Sequence, residues 1–414
     1  MNKIIAFIFL TFIFNFSFAQ SKVFFDKTYQ DSIKTVQLKP VNTQFSYPII
    51  NLGSSERLKL SFDDLNSDNQ VFSYYYTFIH CNADWTKSDL YFEDYCDGFE
   101  DNRIYEYDNS FNTLQDYVNY FVEFPNDDIS FLTSGNYIIM VYADGEKEDT
   151  VLTKRFSIYE NLATIEGSVK VPGISAYRTT NQEVNFKVKS QIFDKFNPLQ
   201  YVSITVSQNN RPDIAKVGLK PRFINGNELI FDDPFQNSYY AGNEFRYFDV
   251  QSIRFESEKV TDIEIIDSYY SFFLVPEPER TKYFFHKDIN GSYVIQNSLG
   301  REPDNDADYV FVYFSYPREY PYPNNDVYIY GELSNWDYLP EFKMNYNKSK
   351  KVYEKAVLVK QGYYNYELKL KPESEILKID GNYFDTENDY VIYVYLRDNL
   401  YNYDKLIGVK ILSN

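Results

Sequence analysis

Apolar and polar residues alternate with a period of two along most of the chain, in short runs broken by turn residues. This is the pattern of strands with one face buried, since successive side chains of a strand point to opposite faces. The first part of the chain carries such runs at 35–38, 57–62, 74–80, 117–124, 137–142 and 152–158. Runs at 165–169, 183–188, 202–206 and 271–275 follow, and the last part adds 309–314, 327–330, 352–359, 363–370, 390–396 and 406–411. Asn51-Leu52-Gly53, the turn cluster 66–69, Asp144-Gly145, Pro172-Gly173 and Asn197-Pro198 punctuate them. Asn225-Gly226 predicts a hairpin between 223–224 and 229–231, and Asn290-Gly291 predicts another between 284–285 and 293–295. Short strands at regular spacing predict an all-β protein of tandem immunoglobulin-like β-sandwiches. The expected boundaries are 20–160, 161–300 and 301–414. The connection 82–116 is long for a loop, yet it keeps Trp85, Leu90, Tyr95, Phe99, Ile104 and Phe111, so it is expected to be ordered.

Residues 1–19 read as a cleaved signal peptide: Lys3 gives the charged start, 4–14 the apolar stretch, and Ser17 and Ala19 the small residues before cleavage. The apolar stretch is too short to span about 30 Å of hydrocarbon as a helix. The mature chain is expected to begin at Gln20 and to be exported.

Composition supports the strand reading, with 42 Tyr and 36 Phe among 414 residues. The net charge is −19. That acidity repels phosphate backbones and sets nucleic acid aside as a partner. Reaction chemistry is sparse. The two histidines, His80 and His286, lie far apart, and there is no zinc-helix motif, serine elbow or glycine-rich phosphate loop. Asp304, Asp306 and Asp308 alternate like the start of a calcium loop, but Tyr309 and Ser315 stand where glycine and glutamate are needed, which favours a solvated acidic linker. No metal, cofactor or catalytic residue is therefore assigned. Cys81 ends a strand and Cys96 lies in the long connection. A bridge between them is one reading and two buried, inert thiols the other. His80 cannot activate Cys81, because adjacent strand residues face opposite ways.

Residues 241–250 (Ala-Gly-Asn-Glu-Phe-Arg-Tyr-Phe-Asp-Val) form a strand-like run, and the apolar set changes parity afterwards to Ile253 and Phe255, as at a β-bulge or corner. This run resembles the signature of the type IX secretion system plug proteins. The stretches 79–85 (Ile-His-Cys-Asn-Ala-Asp-Trp), 287–293 (Lys-Asp-Ile-Asn-Gly-Ser-Tyr) and 381–390 fit the same family. The resemblance implies a periplasmic, non-enzymatic protein that closes the inner mouth of the SprA-type outer-membrane translocon barrel. It lowers the case for a Cys81–Cys96 bond, since the second position is more often apolar in the family. The C-terminal part, with residues 331–336 (Gly-Glu-Leu-Ser-Asn-Trp) and then 362–366, also resembles the early-set sandwich of starch- and glycogen-active enzymes. That likeness implies an alternative, a glycan-binding module with Trp336 as stacking platform. The second platform tryptophan is missing, because 371–380 has no aromatic residue.

Overall fold

The computed structural model describes residues 23–43, 45–66, 70–298, 300, 302–373 and 379–414. The expected signal peptide 1–19 lies outside these residues, as do part of the predicted turn 66–69 and part of 371–380. The architecture is all-β, with three sandwiches.

In the first sandwich, Thr150–Tyr159, Gly135–Ala143 and Tyr74–Cys81 are central to a six-stranded sheet. It faces a second sheet ordered Ile33–Pro40, Leu58–Asp64, Val118–Phe124 and Glu106–Asn109. Alternation sends Tyr74, Tyr76 and Phe78 into the core, where they meet Leu60, Phe62, Tyr120, Phe124 and Phe156. Full burial of such a side chain contributes about 1.5–3 kcal/mol, and the rings add edge-to-face contacts such as Tyr74 on Tyr120 at 4.8 Å. The connection 82–116 is ordered, as its aromatic content predicts. Its helix Phe92–Tyr95 leads into a strand, Cys96–Gly98, that pairs with Ile129–Phe131. Leu90, Tyr95, Cys96 and Ile104 insert into the core.

The second sandwich is split in sequence. One sheet contains Thr164–Lys170, Asn181–Lys189, Glu228–Phe231, Phe223–Asn225 and Ser238–Tyr240. The other is ordered Lys216–Val217, Val202–Gln208, Asp389–Asp398 and Tyr403–Ser413. Val184, Phe186, Ile204 and Val206 thus share a core with Tyr390, Ile392 and Val394, about two hundred residues downstream. The third sandwich is inserted between those halves. Its strands run from Arg246–Asp249 to Gly362–Lys371, joined in one nine-stranded sheet that folds over the core of Phe248, Val310, Val312, Phe314 and Tyr364.

The boundaries 161–300 and 301–414 are therefore corrected: strands from both sides of residue 300 share sheets in two sandwiches. Periodicity identifies strands but not their partners, and non-local pairing sets the units here. The strand Asp389–Asp398 is buried on both faces, Tyr390, Ile392 and Val394 in one cluster and Val391, Tyr393 and Tyr395 in another. A strand so placed must be central. Two local readings are also decided. Of the two readings of the parity switch after Val250, the bulge does not form: the strand ends at Asp249 and the chain bends at 253–255, as at a corner. Residues 284–285 form no strand, and Tyr293–Ile295 pairs with Gly362–Lys371 instead. The hairpin at Asn225-Gly226 forms as expected, Phe223 opposite Ile230.

Each pair of sandwiches is joined by polar contacts. Between the first and the inserted one, Lys360 Nζ meets Asp63 at 2.8 Å, both side chains fully buried. Asp63 also accepts from Tyr309 Oη at 2.6 Å and Asn119 Nδ2 at 2.7 Å. Burial pushes the Asp63 carboxyl up and the Lys360 ammonium down, against their mutual attraction. The acidic run 304–308 belongs to this interface and is not a free linker. Asp304 pairs with Lys59 at 2.8 Å, and Asp308 accepts from the Leu114 amide at 2.8 Å. Between the split and inserted sandwiches, Arg211 pairs with Asp213 and Glu367, and Asp213 also pairs with Lys369. Between the first and the split one, the Glu160 amide donates to the Leu406 carbonyl at 2.8 Å and Tyr395 Oη to Asn136 Oδ1 at 3.0 Å.

Candidate functional site

Three mutually packed bodies leave a gap at their common junction. Here it is a cavity of about 650 Å³. The split sandwich contributes Thr205, Ser207, Tyr393 and Tyr395, which lie on the outer face of its sheet because the alternate residues Ile204, Val206, Ile392 and Val394 fill its own core. The first sandwich contributes Tyr47, Trp85, Lys154 and Arg155, and the inserted one Asp288, Asn290, Glu332 and Trp336.

The two tryptophans of the chain, Trp85 and Trp336, both line this cavity. Both sit in left-handed backbone, at φ 65° and 55°, a conformation that bulky residues rarely adopt. Each follows a tight turn, closed by Trp85 N to the Asn82 carbonyl at 2.9 Å and by Trp336 N to the Gly331 carbonyl at 3.0 Å. Each carries an arginine over its ring, Arg155 at 4.4 Å and Arg211 at 4.3 Å from the centroid. Gly291 makes room for Trp336: a Cβ there would lie 2.3 Å from the indole. Some of the charged groups at the cavity have partners within the protein. Lys154 pairs with Asp26 at 3.0 Å, Asp389 accepts from Tyr47 Oη at 3.2 Å, and Lys39 donates to the Tyr293 carbonyl at 2.8 Å.

The signature stretches meet around this junction. Residues 79–85 end on Trp85, 287–293 supply Asp288, Asn290 and Gly291, and 381–390 end beside Asp389. Phe245 packs edge-on against Trp336 at 5.9 Å. The crossings between the split and inserted sandwiches, 241–244 and 380–388, are laced together. The Gly242 amide donates to Asn382 Oδ1 at 2.7 Å, and the Tyr383 amide donates to the Gly242 carbonyl at 2.8 Å. At the inserted end, Arg246 pairs with Asp380 and Glu277, and Arg280 joins the same Asp380 at 3.0 Å.

With that geometry in place, comparison with known proteins is direct. The family profile described as "Type 9 secretion system plug protein 1st domain" matches residues 33–160. The chain belongs to the type IX secretion system plug protein family. A solved structure of a hypothetical protein from Parabacteroides merdae is 35% identical over 95% of this chain and 100% of its own, with a TM-score of 0.90. The match to a structure of manganese lipoxygenase of Gaeumannomyces graminis with zonadhesin of Komagataella pastoris has a TM-score of 0.15 and bears on nothing further. No curated protein matches.

In this plug-family chain Cys81 and Cys96 are free and buried. Cys96 lies in the core of the first sandwich; Cys81 lies on the opposite face of its strand from Tyr74, Tyr76 and Phe78. The Cys81–Cys96 bridge is thus absent, because the sheet separates the two thiols. Burial pushes the Cys81 thiol up to about 12 and raises that of Cys96, so neither is a thiolate nucleophile. His80 is a core residue, its ring nitrogens bonded to Ser88 Oγ at 2.9 Å and the Ser134 carbonyl at 3.2 Å, and burial lowers its pKa to about 4. Among the described residues no group of His, Cys, Asp and Glu has the geometry to hold a metal ion. Trp336 does not stand on an open sandwich face; it lies at the junction with Arg211 over its ring. Periodicity could not bring Trp85, Tyr47, Thr205 and Asn290 to the same place. The only signal for it was that the signature stretches are polar, aromatic and turn-rich at once, unlike the regular strands around them.

Proposed function

We propose that this chain is a non-enzymatic periplasmic plug that closes the inner mouth of the SprA-type outer-membrane translocon barrel and keeps the outer membrane sealed between transport events. The observation that carries this reading is the family match over residues 33–160. The architecture supports it physically. A stopper must resist being drawn through a wide pore, and three sandwiches held pairwise by buried ion pairs and shared clusters behave as one wide body rather than beads on a string. A stopper also needs contacts that seal without catalysis. The connection 82–116 turns Tyr91, Phe99, Tyr105 and Phe111 outward, and the hairpin tip with Leu400 and Tyr401 is tied to it by the Asn402–Asp89 hydrogen bond. Exposed aromatics of this kind are the usual anchors of protein interfaces.

The test is a conditional leak. Deleting the protein makes cells sensitive to vancomycin, a polar antibiotic too large for ordinary porins, while deleting the barrel as well restores resistance. Equal sensitivity of the single and double deletions, or none in either, overturns the proposal.

A further inference from the structure

We propose that the strand Glu106–Asn109 is a docking edge for an extended segment of a partner protein that carries Lys or Arg at alternate positions. That the segment belongs to the barrel rests on the function proposed above; the chemistry of the edge does not. Glu106–Asn109 ends the second sheet of the first sandwich and pairs with Val118–Phe124 on one side only. The Ser110 amide donates to the Tyr117 carbonyl at 2.9 Å, which fixes the alternation of that ladder. Glu106 and Asp108 therefore bond inward, while Tyr107 and Asn109 turn their N–H and C=O groups outward. Among the described residues nothing bonds to those outward groups, and all four residues of the strand are exposed. Such an edge is a template for strand addition, and native sheets blunt the edges they do not use. Val260–Ile266, at the end of the nine-stranded sheet, shows the contrast. It is blunted by a register shift between Val260 and Asp262 and by the Asp262 carboxylate, which accepts from the Ile263 amide at 2.8 Å. Glu106–Asn109 has neither the shift nor the cap.

The side chains set the class of partner. The connection 82–116 holds ten Asp and Glu against Lys87 and Arg103. Glu106 and Asp108 carry no ion pair among the described residues. The cations around them are engaged elsewhere. Lys59, over the ring of Phe121 opposite Glu106, pairs with Asp304, and Arg103 donates to Ser73 Oγ at 3.1 Å and covers the Tyr105 ring. Glu106 and Asp108 share one face of the strand, so basic side chains at alternate positions of an incoming strand meet both. The same acids exclude a second copy of this chain, because antiparallel self-pairing centred on Tyr107 sets Glu106 across from Asp108. Tyr105 and Phe111, 74% and 71% exposed, stand beyond the two ends of the edge and offer apolar anchors there. The edge thus continues the aromatic face assigned above to sealing and adds directed main-chain bonds to it.

The experiment titrates the full mature chain into a labelled, capped Lys-Val-Lys-Val-Lys-Val peptide. Two control peptides accompany it, one with Glu for Lys and one with Pro for Val, which keeps the charge but cannot form a ladder. Fluorescence anisotropy reads binding, and hydrogen-exchange mass spectrometry over 104–111 reads main-chain bonding. The expected result is saturable binding of the Lys-Val peptide alone, weakened severalfold between about 0.05 M and about 0.5 M salt, with slowed exchange over 104–111. Asn109→Pro removes one outward N–H at an edge position where proline is tolerated, and should weaken binding about three- to tenfold. Glu106→Gln with Asp108→Asn should weaken it about two- to tenfold at low salt and flatten the salt dependence. Near-ultraviolet circular dichroism confirms that both variants fold. No saturable binding, equal binding of either control peptide, unchanged exchange over 104–111, or affinities unchanged in both variants overturns the proposal. So does a dimer in sedimentation that Asn109→Pro abolishes, which would assign the edge to a second copy. The peptides replace the barrel here and the vancomycin assay uses no peptide, so the two proposals fail separately.

Discussion

One residue pair and one single residue carry disproportionate weight. The Asp63–Lys360 pair is buried at an interface, where two charges are costly to desolvate and costlier to separate. Replacing Lys360 by Met leaves Asp63 with only Tyr309 and Asn119 as donors. We expect a loss of about 3–5 kcal/mol in urea denaturation, and a smaller loss when Asp63→Asn is added, because the second change removes the stranded charge. Glu244, in the crossing at 241–244, accepts from Tyr283 Oη at 2.7 Å and the Glu387 amide at 3.1 Å, yet burial raises its carboxyl to about 7. The folded chain therefore binds a proton here more tightly than the unfolded chain does. Its contribution is fully favourable below the ordinary carboxylate range and is lost as pH rises from there through about 7. Glu244→Gln keeps the acceptor and removes the charge. It should be more stable than the wild type by about 1–2 kcal/mol at pH 8, allowing for solvent screening, with the difference much smaller at pH 5 and gone below the ordinary carboxylate range. A variant no more stable at pH 8 than at pH 5, relative to wild type, would contradict this.

At the scale of elements, the C-terminal hairpin decides most. Asp389–Asp398 lies between Val202–Gln208 and Tyr403–Ser413, and without it the core of Ile204, Val206 and Phe186 has an open side. A fragment covering 161–300, which looks like a domain in the linear pattern, should therefore show poor amide dispersion in NMR and no cooperative melt. Joining 161–243 to 386–414 through a short flexible linker should restore both. Individual strands were largely legible: Glu183–Val188 alternates cleanly and lies within Asn181–Lys189, and the turn at Asn225-Gly226 forms its hairpin. The predicted strand at 284–285 failed because its two Phe are exposed and find no partner strand, so local apolar content was misleading. The cavity residues were legible only as unusual stretches, since nothing in the alternation around Trp85 or Thr205 specifies a neighbour more than a hundred residues away.

For the whole molecule, interfaces between all three sandwiches predict coupled stability. Calorimetry should give one dominant unfolding transition rather than three. Lys360→Met, by loosening the first sandwich from the inserted one, should split that transition into two. Three separate transitions in the wild type would mean that the interfaces are too weak for one rigid body, and would weaken the physical case for a stopper.

The sequence by itself determined the all-β class, most of the strands and family membership, because period-two alternation and turn chemistry are local and the signature stretches are contiguous in the chain. Only the tertiary structure decided that the second sandwich is completed by residues 389–413, that Cys81 and Cys96 lie on opposite sides of a sheet, and that Trp85 and Trp336 share one cavity. The physical reason is the same in each case. Alternation records which side of a strand is apolar, whereas pairing and domain contact depend on the fit of faces brought together from distant parts of the chain.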